Sequence, residues 1–402
     1  MSENQPREYD AVLGGNQAPV DGVVLGGIEG IKRRLQNSDK KHKISAFRNA
    51  LINYGDAGKE LIIQILNDKS PQVKKENYQL LSQNFKPEIQ QILLRNIPYD
   101  TFECLYHLEL YRATLYKFAI CSDKKTLVTL SSNDTITVWN LITGKIENSC
   151  CCLTPILNAN DSVLTAIAVS ADNEKCFVGC SDGIILLVDI KANKILKTLR
   201  GNSKNITYIC TSPDGKFIAS GSKEQDIEIW DLITEKIYSS DNKSCDVNFI
   251  EISSDSKIAI SQSKDNIKIW DLQTKKLLNV LGWDKKVGNC IGSRINPTKK
   301  TIVGVNNQNV VQEWNLMNGK LLNRITLDFS YPRNYSFSPD WKTLWGTYPL
   351  GIIKIWDWHT AKLLHSLEGY SYQYINSIIF SNNCEFVIMS GNDGKIQVWG
   401  LK

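Results

Sequence analysis

The residues able to do chemistry are few in kind and unusually placed. Three of the eleven cysteines are adjacent, at Cys150, Cys151 and Cys152. A run of thiols suggests a metal or redox centre. In an extended chain, however, neighbouring side chains point to opposite faces, so three in a row do not converge on one ion. No Cys-x-x-Cys pair accompanies them, and only four histidines are present, so the usual ligand set of a zinc site is missing. Cys121, Cys176, Cys180 and Cys210 fall inside apolar runs, where a thiol acts as a small apolar residue. An odd cysteine count without an evident signal sequence argues for reduced thiols.

The aspartates say more. Asp134, Asp182, Asp226, Asp265 and Asp393 recur in one local setting, just ahead of a short β-branched run. A catalytic carboxylate is needed once, whereas recurrence is what a turn-bracing role requires. No Ser–His–Asp, Cys–His or paired-carboxylate arrangement stands out. Near the start, "YDAVLGGNQAPVDGVVLGGIEGIK" has two Gly pairs but neither Gly-Lys-Ser/Thr nor Gly-x-Gly-x-x-Gly, so it lacks the phosphate-binding pattern. The expectation is a chain with no catalytic residue, no metal and no cofactor.

These residues sit in a repeat. Six segments share one ending: "TITVWNL", "DIEIWDL", "NIKIWDL", "VVQEWNL", "IIKIWDW" and "KIQVWGL", with Trp139, Trp230, Trp270, Trp314, Trp356 and Trp399 as markers. A seventh, "IILLVDI", has Val188 in the tryptophan position. The markers lie 40 to 49 residues apart, the length of a propeller blade of four strands. Residues 205–236, "NITYICTSPDGKFIASGSKEQDIEIWDLITEK", show the grammar: a β-branched strand, a Pro-Asp-Gly turn, a second strand, the Trp strand, and a turn into a fourth.

The Trp-Asp or Trp-Asn dipeptides, the turn before the second strand and the period resemble the WD-repeat family over about residues 101–402. The resemblance implies a mainly β fold, a seven-bladed β-propeller around a central channel. It also implies that the recurring aspartates brace turns through hydrogen bonds. The chain departs from the family in one respect. Where members carry Gly-His before the first strand, it reads Gly201-Asn202, Gly282-Trp283 and Gly369-Tyr370. Copies five and six also lack the turn aspartate, reading "NNQN" and "YPLG", so less regular strands are expected there. Because the last copy stops after three strands, "FECLYHLEL", Phe102 to Leu110, is expected to pair with Ile396 to Leu401 and close the ring. A bare edge there would invite foreign strands.

Before the propeller, residues 28–98 have helical periodicity: Ile28, Ile31 and Leu35, then Ile44, Phe47, Leu51 and Tyr54. Five short helices are expected, with Gly55 ending the second and Ser70-Pro71 opening the fourth. They look like about two HEAT-type repeats. Residues 1–27 form a Gly-rich leader resembling those before helical repeats in bacterial multi-repeat proteins. The expected organisation is therefore a leader (1–27), a HEAT-like helical module (28–98) and a propeller (101–402).

Charge and composition exclude several functions. The formal net charge is +5, with 14 Lys and Arg against 12 Asp and Glu in residues 1–100, too balanced to demand nucleic acid. The local basic runs at 32–34 and 40–43 read as a solvated helix face. No apolar run reaches the ~20 residues that span a bilayer, so a cytoplasmic, monomeric propeller is expected. His42 falls in the helical part, and His107, His359 and His365 fall in or beside outer strands, away from a channel. The functional lead is the loops entering first strands, which are aromatic in the last copies: Trp283; Phe329, Tyr331 and Arg333; Tyr370 and Tyr372. Tyr, Trp and Arg are enriched at binding hot spots, although such rings also serve to fill gaps between blades where the histidine is absent. Three readings stand: a protein-interaction scaffold, favoured; an RNA or ribonucleoprotein-binding factor; and a small-ligand receptor or enzyme using the channel.

Overall fold

The computed structural model describes residues 27–36, 39–110, 113, 115–123, 125–150, 162–192, 194–201, 205–223, 227–239, 246–283, 288–327, 333–367, 375–381, 386–391 and 393–401. By contacts the chain divides into two units, residues 1–103 with 401–402, and residues 104–400.

In the first unit the apolar stripes fold as four helices: α1 (Gly27–Leu35), α2 (Lys40–Asn53), α3 (Gly55–Leu66) and α4 (Pro71–Arg95). Ile31, Phe47, Ala50, Ile62 and Leu81 are buried between them. The Asp39 carboxylate caps α2 by accepting from the Lys41 N–H, and Ser70 caps α4 by accepting from the Val73 N–H. Gly55 holds φ of +49° at the tight α2–α3 junction. The expectation of five helices is corrected to four. The last two are one helix whose backbone leaves helical values at Phe85 and Ile89, on either side of Pro87. Proline removes one backbone donor and bends the helix without ending it. The basic runs are partly neutralised: Lys32 pairs with Glu29 at 2.5 Å, and Lys43, 8% exposed, lies 3.9 Å from Glu76.

The second unit contains seven four-stranded antiparallel sheets. In chain order, blades 1 to 6 span residues 115–150, 164–200, 206–239, 249–282, 290–326 and 334–367. Blade 7 combines three strands within 375–400 with β1 (Glu103–Leu108), which lies beside Ile396–Gly400 in the sheet. Closure therefore occurs where the sequence placed it. Leu108 joins Ile388, Ile396 and Val398 of blade 7 against Leu115, Leu127 and Trp139 of blade 1. Tyr106 donates its hydroxyl proton to the Ile142 carbonyl of blade 1, its ring lying so close to Gly144 that a Cβ there would be 2.6 Å from Cδ1.

Burial rises and falls across each blade. In blade 3 every residue of the third strand, Ile227–Asp231, is buried, while the outer strand, Lys236–Ser239, alternates exposed and half-buried. The hydrophobic core lies between neighbouring sheets. Val128 and Val138 of blade 1 meet Val178 and Leu186 of blade 2, for example, and Val303 and Val311 of blade 5 meet Leu344 and Trp356 of blade 6. Regularity does not fail where the motifs do. Blade 2, without its tryptophan, and blades 5 and 6, without the turn aspartate, each keep four strands. In blade 5 Asn306 substitutes by accepting from the Gln308 and Val310 N–H groups. In blade 6 Leu350 and Gly351 make the turn at φ of +64° and +70°.

Candidate functional site

The recurring polar residues are engaged in holding strands together. Trp139 donates its indole N–H to Thr129 Oγ1 (2.9 Å), Trp230 to Ser220 Oγ (2.9 Å) and Trp270 to Ser261 Oγ (3.0 Å). Trp399 donates to Gln397 Oε1 (3.2 Å). Trp314 and Trp356 are buried against the rings of Trp283 and Tyr335. The residue after the marker has its own task in six of the seven blades. Asn140, Asp189, Asp231, Asp271, Asn315 and Asp357 each accept from the two backbone N–H groups that open the turn to the outer strand. That is the physical content of the Trp-Asp and Trp-Asn dipeptides.

The turn aspartates behave similarly. Asp182 accepts from the Ile184 N–H and Asp393 from the Lys395 N–H, both at 3.1 Å. Asp134 turns the chain at φ of +57°, and burial pushes its carboxyl up. The Asp265 carbonyl accepts from the Trp283 N–H at 3.1 Å. Asp226 lies outside the described residues. His107 and His365 lie on outer strands and His359 in a turn leading to one. Burial pushes the thiols of Cys121, Cys180, Cys210 and Cys290 up to about 12, which makes them poor nucleophiles. Cys151 and Cys152 lie outside the described residues, and the side chain of Cys150 with them.

Of the aromatic loop residues, Phe329, Tyr331, Tyr370 and Tyr372 lie outside the described residues. Arg333 is exposed, and its N–H donates to the Thr347 carbonyl at 2.9 Å. Trp283 is 6% exposed. Its ring meets Trp314 edge-on at 5.2 Å and lies over Gly304, where a Cβ would come within 2.8 Å of it.

The sequence reading singled out no channel residue, and the channel proves to be chemically marked. A cavity of about 360 Å³ is lined by the innermost strands of all seven blades. Strand register sorts the innermost strands into two rings, the first lining the cavity throughout and the second only at Arg294 and Ile379. Lys117, Ala166, Tyr208, Phe249, Gly292, Asn334 and Ser377 all pair with one equivalent position of the second strands. Two residues further along come Ala119, Ala168, Cys210, Glu251, Arg294, Ser336 and Ile379. The second ring holds an ion pair. Arg294 Nη1 is 3.7 Å from Glu251 Oε1, Glu251 Oε2 accepts from the Ile295 N–H at 2.9 Å, and the guanidinium lies 4.8 Å from the Phe249 ring centroid. Burial pushes the Glu251 carboxyl up despite Arg294. The first ring holds one charge, Lys117, which is exposed to the channel and whose ammonium is held below the usual lysine range by partial desolvation. The first ring sits 21 or 22 residues before each marker in the sequence, so aligning the copies on their tryptophans would have exposed a column with a single charge.

A second cavity, about 640 Å³, opens between blades 2 and 3 over Phe177, Leu187, Leu199 and Trp230, with the Lys197–Glu235 pair at 2.5 Å among its surroundings. Among the described residues no group of His, Cys, Asp or Glu could hold a metal ion, and no helix is long and apolar enough to cross a membrane.

The profile of the WD domain, G-beta repeat family matches residues 193–231 and 361–400. Each match comprises the outer strand of one blade and three strands of the next. The chain carries WD repeats, built into a seven-bladed propeller. Two similar proteins place the WD repeats in context. Small ribosomal subunit protein RACK1y of Oryza sativa subsp. japonica is 26% identical over 62% of this chain and 81% of its own length. Protein groucho of Drosophila melanogaster is 25% identical over 34% of this chain, and the match spans 17% of groucho.

Proposed function

We propose that the chain is a non-enzymatic scaffold that binds protein partners through its propeller loops and its helical module. The observation that carries this reading is the fate of the repeated polar residues. Six Asx side chains brace the same turn from blade to blade, and three tryptophans make the same cross-strand hydrogen bond, which is structural work. What varies is the set of loops entering first strands, where Arg333 is exposed and the aromatic residues Phe329, Tyr331, Tyr370 and Tyr372 cluster in sequence. Trp283 belongs to the same set and would act by fixing its loop from below. Four helices with short connections also suit a HEAT-like pair, whose concave face is the usual docking side.

Affinity purification of the intact chain tests this when repeated with Arg333→Ala, with Tyr331→Ala and Tyr370→Ala, and with residues 1–100 deleted. Partner recovery should fall with the loop substitutions. Unchanged recovery removes the loops, and loss only on deletion moves the role to the helices. The ribonucleoprotein reading draws on one observation, that the rice relative is by name a protein of the small ribosomal subunit and aligns over most of its length. Binding of that kind would weaken steeply with salt.

A further inference from the structure

We infer that the propeller channel is a binding site for one carboxylate group carried on an apolar body, with Lys117 as its counter-charge. Three observations converge on it. Arg294, the other charge that lines the cavity, pairs with Glu251 at 3.7 Å, and Glu251 accepts from the Ile295 N–H as well. Lys117 lies in the same cavity with no carboxylate partner among the described residues. Lys117 is exposed to the channel, so its ammonium can take a counter-ion there, which a cationic or neutral ligand would not supply.

The second observation is a hydroxyl. Ser390 lines the cavity, is 2% exposed, and its Oγ has no hydrogen-bond partner. It stands opposite Ser377 in blade 7, the blade that adjoins Lys117's own across the closure. A buried hydroxyl without a partner is unfavourable. An anion in the cavity would accept from both the ammonium and the hydroxyl, a geometry seen wherever charged acceptors are held.

The third is the facing wall. Tyr208 and Phe249 are half-buried, with ring centroids 5.1 Å apart. Ala166 and Gly292 keep their sectors of the ring clear, and a Cβ at Gly292 would meet nothing nearer than 3.8 Å. The lining is mixed, with the Tyr208 and Phe249 rings set among Thr207, Asn248, Gln262 and Asn334, and about 360 Å³ lies within the usual size range of a small-molecule site. The carboxylate has two possible sources, a free small acid or an Asp or Glu side chain that a docked partner inserts.

Calorimetry on the full chain decides. The probes are benzoate, benzyl alcohol as its uncharged analogue, and the blocked tripeptide acetyl-Gly-Asp-Gly-amide. Benzoate should bind saturably at one per chain and at least about tenfold tighter than benzyl alcohol, in line with a charge-assisted hydrogen bond. Lys117→Met should remove that tenfold preference while leaving benzyl alcohol unchanged, and Ser390→Ala should weaken benzoate severalfold. Gly292→Val, which fills the channel from a position with room for its first atom, should abolish both. Lys362→Met, on the exposed outer wall, should change nothing. Tripeptide binding that matches benzoate and also depends on Lys117 assigns the carboxylate to a partner; benzoate binding alone assigns it to a free acid. Benzoate heats that fail to saturate, or that saturate equally in Lys117→Met, overturn the inference. Partner capture by the loops is unaffected by either result, so failure here and failure of the scaffold reading are distinguishable.

Discussion

Blades 3 and 4 support their tryptophans differently from blades 5 and 6. In the first pair the indole N–H reaches a serine on the neighbouring strand, Ser220 or Ser261, at 2.9 and 3.0 Å. Register puts Gly304 and Gly346 at the equivalent places in blades 5 and 6. An aromatic ring occupies the space instead. Trp283 covers Gly304 and meets Trp314 at 5.2 Å, and Tyr335 covers Gly346 and lies 6.3 Å from Trp356. The Tyr335 hydroxyl then donates to Asn309 Oδ1 at 2.5 Å, tying blade 6 to the turn of blade 5. One net hydrogen bond is worth about 1 kcal/mol, whereas a buried aromatic side chain removes 150–250 Å² from water. Blades 5 and 6 thus take from aromatic packing the support that blades 3 and 4 take from a hydrogen bond.

The comparison breaks most visibly at Trp283. Trp283→Ala should cost about 3–5 kcal/mol, because it empties a space that the backbone of Gly304 cannot refill. Urea unfolding followed by far-UV circular dichroism measures it. A cost below about 1 kcal/mol would mean that the ring is dispensable for packing and free to serve only a partner.

Gly346→Ser comes next and copies the arrangement of blades 3 and 4 into blade 6. It restores a hydroxyl near the indole, yet its Cβ would stand 2.6 Å from Tyr335 Cε1 and 2.9 Å from Trp356 Cζ3. Overpacking of this kind costs about 1–3 kcal/mol. The double change Trp283→Ala with Gly304→Ser sharpens the point in blade 5. It recreates the arrangement of blade 4 and should recover part of the single-mutant loss, a non-additivity read by a double-mutant cycle.

On the other side of the comparison, Ser261→Ala should cost about 1–3 kcal/mol. The Trp270 N–H is then left buried without its acceptor. The change should be felt as faster unfolding, with the m-value unchanged because the surface exposed on unfolding hardly differs.

These two modes of support were unequally legible in the sequence. The third strands could be read because a tryptophan and an Asx recur at nearly fixed intervals. The closing strand could be read because "FECLYHLEL" shares its pattern with "KLLHSLEG". What links Trp283 to Gly304 is different. The residues lie 21 apart, one in a loop and one in a strand, and the pairing is steric, so no periodicity announces it. The kink in α4 was hidden for a related reason: Pro87 reads as a stop, and only packing decides whether a helix bends or ends there. The channel was the least visible. Lys117, Glu251, Arg294 and Ser390 each occur once, and a reading built on what repeats passes over what does not.

The smallest effect tests whether the Asx turns are interchangeable, since blades 1 and 5 use Asn140 and Asn315 where blades 3 and 4 use Asp231 and Asp271. The carboxylates of Asp231 and Asp271 are held below the usual range, first by the backbone N–H groups of Thr234 and Thr274. A depressed folded-state pKa contributes stability above the unfolded value near 3.8, and that contribution is lost as pH falls through the folded value. Asparagine makes the same two hydrogen bonds without the charge. Asp271→Asn should therefore cost a few tenths to about 1 kcal/mol at pH 7, after solvent screening, and nothing once pH drops below the depressed pKa. Asn315→Asp should do the reverse, adding acid sensitivity to blade 5. Urea midpoints at pH 7 and pH 3 for both variants decide it. A difference between Asp271→Asn and the parent that stays constant with pH would mean that the turn depends on side-chain shape, with the carboxylate charge irrelevant.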